Sequence, residues 1–442
     1  MNLQTVFPHP AEPLRIAVVG SGISGSAAAM VLSRNHDVTL YEKNAVPGGH
    51  TATVDIQYDG KDISVDTGFI VYNEATYPKL TRLFGELGVK THESSMSFAL
   101  SLDHGALEWS GVSLATLFAQ KSNIVRPSFW RMVAEILRFN TICLKDRDNG
   151  YMTAMSIGEY LEWRRFSDSF TQNYLIPMAA AIWSAPAGKM LEFPAARFIG
   201  FFENHRLINL KPHPWRTVTG GSRNYLDRIL KPLGDNVRTS CGVTSIRRQA
   251  GAVFITDEHG NCERYDRVVL ACHSDQSLAM LSDATIQEQR VLSAVGWQPN
   301  RVVLHRDPAL MPVRRKVWAA WNYLKSRKDG RSDVTVTYWM NRLQGIDDDY
   351  PLFVTLNPDR EPDPALVFGE YIYDHPQFDA SSFDAQEELK MVQGMNNTWY
   401  AGAWTGFGFH EDGLSSGLAA AEQILQTHGR QTSRILFKEA AE

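Results

Sequence analysis

The feature that most constrains the fold of this chain is a glycine-rich turn near its start, within RIAVVGSGISGSAAAMVL. Gly20, Gly22 and Gly25 have the spacing GxGxxG and lie between an apolar, β-branched run and an alanine-rich run. In a βαβ unit the first glycine permits a tight turn, the second lets a pyrophosphate approach the backbone, and the third allows the helix to pack closely on the strand. The pattern predicts a strand at Arg15–Val19, a helix over residues 24–34 whose N-terminus faces phosphate groups, and a nucleotide-binding sheet.

An acidic residue follows at the position that such a unit requires. The second predicted strand, Asp37–Tyr41, ends directly before Glu42, which lies 22 residues after Gly20. A carboxylate placed there accepts hydrogen bonds from the ribose of a bound dinucleotide. A plain tight turn would also tolerate these glycines, but the order of strand, turn, helix, strand and acidic residue favours a dinucleotide site.

A second glycine pair, Gly48-Gly49 in PGGHTAT, distinguishes between the dinucleotides. A nicotinamide cofactor leaves its protein after each reaction and needs only the first turn. A flavin dinucleotide stays bound and is enclosed along its length by further loops. PGGHTAT, VDTGF and the glycine-rich segment near the C-terminus supply such loops, so the sequence predicts bound FAD.

Composition and charge exclude several other classes of protein. The chain has 442 residues, of which 44% are hydrophobic and 21% charged, and its formal net charge of -5 gives no electrostatic support for a nucleic-acid partner. The four cysteines have no CxxC spacing and the first segment lacks the regions of a signal peptide, so a cytoplasmic location is expected. The uncharged run 169–188 contains Pro177 and several polar residues, which favours a buried helix over a membrane span.

Segments typical of nucleotide binding occur at the start, in the middle and at the end of the chain. A hairpin is predicted over 54–67 with its turn at Asp59-Gly60, mainly helical structure from 77 to 208, and strands over 237–255 and in RVVLA. Three further strand candidates, RVVLH, VWAAWNYL and VTVTYWM, lie between residues 301 and 340. We therefore expect a discontinuous FAD-binding domain of residues 14–80, 209–275 and 395–429, a substrate domain of 81–208 and 276–394, and a C-terminal tail at 430–442.

Four segments together carry a resemblance to a known group of proteins: GSGISG with Glu42, GGHTAT, YDRVVLACHSD and YAGAWTGFGFHEDGLSSG. The chain resembles the flavin amine oxidase and phytoene desaturase superfamily, which includes protoporphyrinogen oxidases and polyunsaturated fatty acid isomerases. The resemblance implies an α/β fold, with a Rossmann-like FAD-binding domain of the glutathione-reductase type and an inserted α+β substrate domain. It also implies an FAD-dependent oxidoreductase that binds FAD noncovalently, because no cysteine lies where some members tether the flavin.

Within that group, three segments resemble a bacterial subfamily of FAD-dependent oxidoreductases: DTGFIVYNEATYPKL, PHPWRTVTGGSRNYL and YAGAWTGFGFHEDGL. Members of the subfamily tend to be encoded beside cyclopropane-fatty-acid-synthase-like lipid methyltransferases. The resemblance therefore implies a lipid methyltransferase partner and an apolar or lipid substrate.

The resemblance also implies which residues hold FAD. The first glycine turn would hold the diphosphate, Glu42 and Lys43 the ribose, and the start of the last helix the pyrimidine edge of the flavin. Two positions depart from the pattern: His50 stands where the family usually has arginine, and Ala403 stands where an acidic residue often holds the ribityl chain. The full set of expected cofactor-binding residues is Gly20, Ser21, Gly22, Ile23, Ser24, Gly25, Glu42, Lys43, Gly48, Gly49, His50, Thr51, Gly68, Phe69, Ile70, Val243, Ala271, Cys272, Gly402, Ala403, Gly413, Leu414 and Ser415.

Four residues are candidates for a catalytic role. Asn300 stands where amine oxidases of the group carry a lysine that holds a water near flavin N5. His410 replaces one tyrosine of the aromatic cage that receives amines, and His375 could face the flavin from the other side. Trp183 could line the substrate path; packing in a core is the alternative for it and for both histidines. Five further aromatic residues are candidates for the wall of an apolar tunnel, again with the core as the alternative: Trp318, Trp321, Tyr323, Tyr338 and Trp339.

A basic pattern between residues 123 and 145 predicts a surface helix. Arg131, Arg138 and Lys145 are seven residues apart and share one helical face, while apolar residues of WRMVAEIL lie on another. Such a helix either docks on anionic lipid or presents a solvated charged face. The first alternative, supported by the cluster Arg314-Arg315-Lys316, predicts peripheral contact with the inner surface of the membrane.

Three functions are compatible with these observations. The preferred one is hydride movement between a substrate carbon and flavin N5 on an acyl or lipid chain, in a desaturation, a saturation or a double-bond isomerisation. The rival is an amine oxidase that releases hydrogen peroxide, which Asn300 and His410 disfavour. The third is a flavin-binding partner of a lipid methyltransferase without catalytic activity of its own.

Overall fold

The structure is a computed structural model that describes residues 12–208, 213–326 and 335–428. In chain order the strands are β1 Arg15–Val19, β2 Asp37–Tyr41, β3 Thr53–Tyr58, β4 Lys61–Asp66, β5 Val71–Tyr72, β6 Thr91–Ser94, β7 Phe98–Leu102, β8 Leu107–Ser110, β9 Trp215–Val218, β10 Val237–Arg238, β11 Val243–Gln249, β12 Ala252–Asp257, β13 Cys262–Tyr265, β14 Arg267–Leu270, β15 Gly296–His305, β16 Trp321–Lys325, β17 Thr335–Trp339, β18 Phe353–Leu356, β19 Val367–Gln377 and β20 Thr398–Tyr400.

The helices of the same ranges alternate with these strands. They are α1 Ile23–Leu32, α2 Pro78–Leu87, α3 Leu114–Leu117, α4 Pro127–Asp148, α5 Ile157–Trp163, α6 Asp168–Phe170, α7 Ile176–Trp183, α8 Ala187–Glu192, α9 Ala195–Asn204, α10 Arg223–Leu230, α11 Ser274–Met280, α12 Ile286–Ser293, α13 Met340–Gln344, α14 Ala380–Glu388 and α15 His410–Thr427. Short 3-10 turns link several of them.

A parallel five-stranded sheet with the order β10-β2-β1-β14-β20 carries the first glycine turn. Successive side chains of a strand point to opposite faces, so Ile16 and Val18 enter one core while Ala17 and Val19 enter another. Helices α1, α2, α10 and α15 cover the first face, and the antiparallel sheet β11-β12-β13 lies on the second. The predicted βαβ start is confirmed, as is the α/β fold class.

Strands from three separate parts of the chain thus share one sheet, because β14 pairs with β1 and β20 pairs with β14. The domain boundaries themselves stay predictions. The boundaries at residues 209 and 429 and the predicted tail at 430–442 lie outside the described residues.

Glycines let α1 and α15 pack against each other without a layer of side chains. A Cβ on Gly417 of α15 would lie 2.0 Å from the Ser24 carbonyl oxygen, and a Cβ on Gly413 would lie 2.9 Å from the Ile23 side chain. At the other side of α1, a Cβ on Gly25 would lie 1.9 Å from the Gly20 carbonyl oxygen. The last helix is therefore fixed directly beside the glycine turn.

A second, seven-stranded sheet has the order β19-β15-β18-β17-β16-β7-β8. The region 77–208 is mainly helical, as predicted, but it also contains the short strands β6, β7 and β8, which the sequence did not indicate. The segment VWAAWNYL is a strand only from Trp321, since Val317 ends a 3-10 turn. The first residue of VTVTYWM lies outside the described residues, and β17 begins at Thr335.

Helices α4 to α9 cover this sheet and share its core. The uncharged run 169–188 is buried, as predicted, but it is not one helix: a π-helical turn at Thr171–Leu175 separates α6 from α7, and α7 ends at Trp183. Among the described residues, no helix combines the length and apolar character that a membrane crossing requires.

Candidate active site

A cavity of about 870 Å³ runs from the parallel sheet to the seven-stranded sheet. Most of the expected cofactor-binding residues line it: Gly20, Ser21, Gly22, Ile23, Ser24, Glu42, Lys43, Gly49, His50, Gly68, Phe69, Ile70, Val243, Ala271, Cys272, Gly402 and Ala403. Six do not line it and lie behind its wall: Gly25, Gly48, Thr51, Gly413, Leu414 and Ser415. Residues that are far apart in the sequence are thus brought to one elongated cavity.

The two glycine turns face each other at one end of this cavity. Gly20 has a φ of +99° and its N–H donates to the Tyr41 carbonyl at 2.8 Å, which bends the chain sharply after β1. A Cβ on Gly22 would meet no atom within 4 Å, and a Cβ on Gly49 would lie 3.4 Å from the Gly22 Cα. The space beside Gly22, at the N-terminus of α1, fits a pyrophosphate.

Ser21 joins the glycine turn, the acidic residue and the second glycine pair. Its hydroxyl donates to Glu42 Oε2 at 2.5 Å and accepts from the Gly48 N–H at 2.8 Å. The other carboxylate oxygen of Glu42 accepts from the Asn44 N–H at 2.8 Å. These bonds hold the Glu42 carboxylate at the cavity wall, where it fits the ribose of a dinucleotide.

His50 supplies an independent sign that this end of the cavity receives a polar ligand. Its Nε2 is buried and has no hydrogen-bond partner among the described residues. Burial, with a smaller contribution from the nearby His273, lowers the pKa of His50 to about 4, so the ring is neutral. A buried polar atom normally has a partner, and a group of bound FAD would provide one. The residues present therefore fit the cofactor.

The start of α15 borders the cavity through Gly408, Phe409 and His410. Gly413 instead packs on Ile23, and the hydroxyl of Ser416, rather than that of Ser415, bonds the backbone of Gly402. The expected contact of residues 413–415 with the flavin edge is therefore not seen in the cavity wall.

His410 lines the cavity, but its ring is firmly held. Phe69 stacks on it with ring centroids 3.9 Å apart, and its Nε2 is hydrogen-bonded to the Tyr225 hydroxyl, which also contacts Thr51. Burial lowers the pKa of His410 to about 3, so this histidine is neutral. The structure thus favours packing over a base that uses Nε2.

The two acidic residues after His410 have structural partners. Glu411 accepts hydrogen bonds from the N–H groups of Lys79 and Leu80 at 2.9 and 3.0 Å, at the start of α2. Asp412 accepts from the N–H groups of Phe407 and Phe409 at 3.1 and 2.9 Å. Their contacts shape the loop that leads into α15.

Asn300 and Trp183 do not line the cavity, and their expected catalytic roles stay predictions. Asn300 is fully buried behind His375, to which its amide bonds at 2.8 Å, while His375 itself lines the cavity. Trp183 donates to the Phe407 carbonyl at 3.2 Å and packs on Phe201. The indole therefore belongs to the hydrophobic core.

The tunnel candidates divide in the same way. Trp321 and Tyr338 line the cavity and meet edge to face with centroids 5.0 Å apart. Trp318, Tyr323 and Trp339 do not line it. Alternation along β17 accounts for Tyr338 and Trp339, but Trp321 and Tyr323 share a face of β16, so their different positions depend on where along the strand the cavity lies.

Sequence reasoning missed several residues of the wall. His273 stacks on Trp297 with centroids 3.8 Å apart, and Tyr373 bonds the Thr67 hydroxyl at 2.8 Å. Phe409 packs on Phe201 with centroids 4.9 Å apart. A signal existed for Tyr373, since it lies two residues before His375 on β19 and therefore shares its face.

Charge is distributed unevenly along the cavity. Its charged lining residues are Glu42, Lys43, Glu258 and Asp374, within the described part of the chain. Lys43 and Asp374 both act on His273, and Glu258 lies opposite Lys43 across Gly242, so all four gather at the nucleotide end. The remaining wall is uncharged: Met96, Ile182, Ser184, Phe201, His205, Leu207, Trp215, Val302, Trp321, Tyr338, Val354, Leu356, Ile372, Tyr373 and Phe409.

Comparison with known proteins identifies the family of this chain. The family of flavin containing amine oxidoreductases matches residues 23–306, and the chain belongs to this family. AofH of Mycobacterium tuberculosis, described as a flavin-containing monoamine oxidase, is 22% identical over 84% of this chain and 76% of its own. The 15-cis-phytoene desaturase of Arabidopsis thaliana is 29% identical over 40% of this chain and 32% of its own.

A solved structure shows the same fold. The fatty acid isomerase of P. acnes, which produces CLA, superposes with a TM-score of 0.64 at 17% identity, over 93% of this chain and 98% of its own. The predicted enzyme class is confirmed: the chain is an FAD-dependent oxidoreductase of the amine oxidase and desaturase type, with noncovalently bound FAD. The association with a lipid methyltransferase, which the subfamily resemblance implies, stays a prediction.

Proposed function

We propose that this oxidoreductase acts on an unsaturated fatty acyl chain or another apolar lipid chain, in a desaturation, a saturation or a double-bond isomerisation. Bound FAD supplies a hydride acceptor and donor at N5. The observation that supports the proposal is the absence of charged side chains from the wall of the cavity beyond its nucleotide end, among the described residues. An ammonium buried there would lack a carboxylate partner, whereas each buried methylene gains about 0.8 kcal/mol.

The chain's own residues position the substrate and exclude water. Val302, Val354 and Leu356 present aliphatic side chains from neighbouring strands, and Trp321 and Tyr338 form an aromatic wall. Hydride transfer needs the donor and acceptor atoms held about 3 to 3.5 Å apart. The cavity walls would therefore contribute to catalysis by positioning the acyl chain, without any chemical activation of it. In an isomerisation the hydride returns to the same chain and no external oxidant is consumed. A desaturation requires an electron acceptor, and a saturation requires an electron donor that reduces the flavin again.

Entry of the chain from a lipid surface is part of the proposal. Large apolar side chains are exposed on α4 and in the segments before it: Leu114 is 77%, Ile124 52%, Val125 81%, Trp130 48% and Leu137 58% exposed. The Trp130 indole donates to the Ile124 carbonyl at 2.8 Å, which ties the helix to the preceding turn. Large exposed apolar side chains in one region mark an interaction surface.

Exposed cations lie on the same helix. Arg131 and Lys145 are exposed on α4, although Arg131 also pairs with Glu135 at 3.4 Å. The Arg138 guanidinium lies 4.6 Å from the centre of the Phe166 ring and is exposed on its other side. Apolar side chains with neighbouring cations complement an anionic membrane surface. A lipid methyltransferase acting on the same chains is the partner that we propose, on the strength of the subfamily resemblance.

The proposal is tested with the holoprotein under anaerobic conditions. Phospholipid vesicles that carry polyunsaturated acyl chains are expected to change the flavin absorbance or to yield shifted or additional double bonds by mass spectrometry. Saturated vesicles serve as the matched control for a reaction at an existing double bond.

The similarity to AofH over most of the chain makes amine oxidation the second candidate. Putrescine and cyclohexylamine are therefore tested in the same assay. We expect neither amine to bleach the flavin. Bleaching by an amine, followed by peroxide release in air, with no change of any acyl chain, would replace the lipid proposal by amine oxidation.

A further inference from the structure

A chain of two amides, Asn300, which is fully buried, and Asn357, which is half-buried, connects the backbone to His375. The backbone N–H of Arg301 donates to Asn357 Oδ1 at 2.8 Å. Asn357 Nδ2 donates to Asn300 Oδ1 at 2.6 Å, and Asn300 Nδ2 bonds His375 Nδ1 at 2.8 Å and the Gln298 carbonyl at 3.0 Å. Three strands, β15, β18 and β19, bring these residues together.

Backbone groups fix the orientation of both amides. A backbone N–H can only donate, so the Asn357 side-chain atom that accepts the hydrogen bond from the Arg301 N–H must be the amide oxygen. The other side-chain atom of Asn357 is therefore its amino group. A carbonyl can only accept, so the Asn300 atom that meets Gln298 must be its amino group. Each amide thus has one arrangement that satisfies all its partners. The last donor of the series, the second N–H of Asn300, points at His375 Nδ1.

The consequence concerns the proton on the His375 ring. We propose that Asn357 and Asn300 are positioning residues that hold His375 in the tautomer with its proton on Nε2, and that this N–H donates to an acceptor atom of the bound flavin ring. Nδ1 accepts from Asn300 and cannot carry the proton of a neutral ring. Nε2 makes no hydrogen bond within the described residues, and His375 lines the cavity beside His50, with ring centroids 5.2 Å apart.

Two observations strengthen this assignment. Burial, together with His50 and His273, lowers the pKa of His375 to about 3, so the ring stays neutral and has one N–H to place. Asn357 has a φ of +44°, a backbone region that asparagine tolerates better than most residues, and its own N–H donates to the Arg301 carbonyl at 2.7 Å. Backbone and side chain together therefore attach Asn357 to Arg301, and the first amide cannot turn.

A donor to the flavin ring has a defined physical effect. Reduction places negative charge on the ring, and a fixed N–H aimed at that charge stabilises the reduced form. A ring nitrogen with a lone pair at the same place would destabilise it. The tautomer of His375 would therefore set part of the reduction potential of the flavin, whichever substrate the enzyme takes. The inference depends on bound FAD and is independent of the lipid substrate proposed above.

The experiment measures the tautomer and the potential in the holoprotein. Nitrogen-15 NMR of histidine-labelled protein, with His375 assigned by its loss in His375→Gln, should show a neutral ring protonated at Nε2. In Asn300→Asp the carboxylate can only accept, so the proton should move to Nδ1. The equilibrium constant for flavin reduction by a reference dye should then fall about tenfold, which is about 30 mV for a two-electron couple.

Asn322→Asp is the matched control. Asn322 is also fully buried in the same sheet, where it bonds Ala319 and Thr337. The Asn322→Asp protein should lose stability as Asn300→Asp does, but the tautomer of His375 and the reduction potential of the flavin should stay unchanged. If Asn300→Asp does not fold, Asn300→Leu should give a mixture of both tautomers.

Three results would overturn all or part of the inference. A proton on Nδ1 in the unmodified protein, or an unchanged tautomer in both Asn300 variants, would remove the role of the amides. A changed tautomer with an unchanged potential would remove the flavin as the acceptor. None of these results depends on an acyl substrate, so failure here is distinct from failure of the proposed function.

Discussion

Two glycines of one turn should respond to substitution in opposite ways. Gly22→Val should leave the fold intact and abolish FAD binding, whereas Gly25→Ala should destabilise the protein itself. A Cβ on Gly22 meets no atom within 4 Å, but it projects into the space that fits the pyrophosphate. A Cβ on Gly25 would lie 1.9 Å from the Gly20 carbonyl oxygen and 3.0 Å from the Ala271 Cβ.

The magnitudes follow from these contacts. Alanine gains about 1 kcal/mol over glycine in helix propensity, but overpacking against a backbone oxygen costs about 3 kcal/mol or more, so Gly25→Ala should lose about 2 kcal/mol. Gly22 has a φ of -58°, which other residues adopt, and its replacement should change the stability of the apoprotein by less than about 1 kcal/mol.

Thermal unfolding with and without FAD separates the two effects. At a hundredfold excess over its Kd, FAD stabilises the unmodified protein by about 2.7 kcal/mol. Gly22→Val should unfold like the unmodified apoprotein and show no shift with FAD, while fluorescence titration shows no binding. Retention of stoichiometric FAD by Gly22→Val, or an apoprotein as unstable as Gly25→Ala, would refute the assignment of the pyrophosphate to this turn.

Three further predictions concern oxygen, lipid and pH. Lys43, at the nucleotide end, is the one lysine in the described wall of the cavity, so no lysine of this wall can hold a water beside flavin N5 as in amine oxidases. The photoreduced flavin should therefore reoxidise slowly in air, and rapid reoxidation in stopped-flow absorbance would contradict this. Replacing Arg131, Arg138 and Lys145 by glutamine should weaken the affinity for anionic vesicles, measured by cosedimentation, roughly 100-fold, because each cation contributes about 1 kcal/mol. The FAD content should stay unchanged. Equal binding by the unmodified protein and the variant would exclude docking through α4. Since burial lowers the pKa of His50 to about 4, the unfolded chain binds a proton at this residue that the folded chain lacks between about pH 4 and pH 6.5. His50 should therefore lower the free energy of unfolding by up to about 3 kcal/mol as the pH is lowered through this window, in addition to the contributions of His375 and His410. His50→Gln should make the slope in urea titrations less steep by one proton, and an unchanged slope would disprove the neutral buried ring.

Local patterns carried most of what could be predicted. The turn with Gly20, Gly22 and Gly25 and the strands beside it follow from short-range rules, and the structure reproduces the predicted bounds of β1 and β2. The separation of Asn300 from the cavity could not be foreseen, because it depends on the register of three strands. Asn300 contacts Asn357 and His375, which are 57 and 75 residues away along the chain.

The strands missed within the helical region have a similar cause. β8 contains Glu108, which is fully buried. Glutamate is rarely buried, so its presence in this segment argues against a core strand when only the sequence is considered. Its partner is Arg314, at 2.8 Å and 206 residues further along the chain. No local rule connects two such positions, so the pair becomes visible only in the folded protein.

The placement of α15 beside α1 has a consequence for how the protein is made. The cofactor cavity combines β1 and α1 with β20 and α15, which are synthesised several hundred residues later. Without β20 and α15, β14 presents an unpaired edge and α1 lacks the helix that covers part of its apolar face. Enclosure of the flavin therefore has to follow the synthesis of α15, and until then an unpaired strand edge and an apolar surface are available for aggregation.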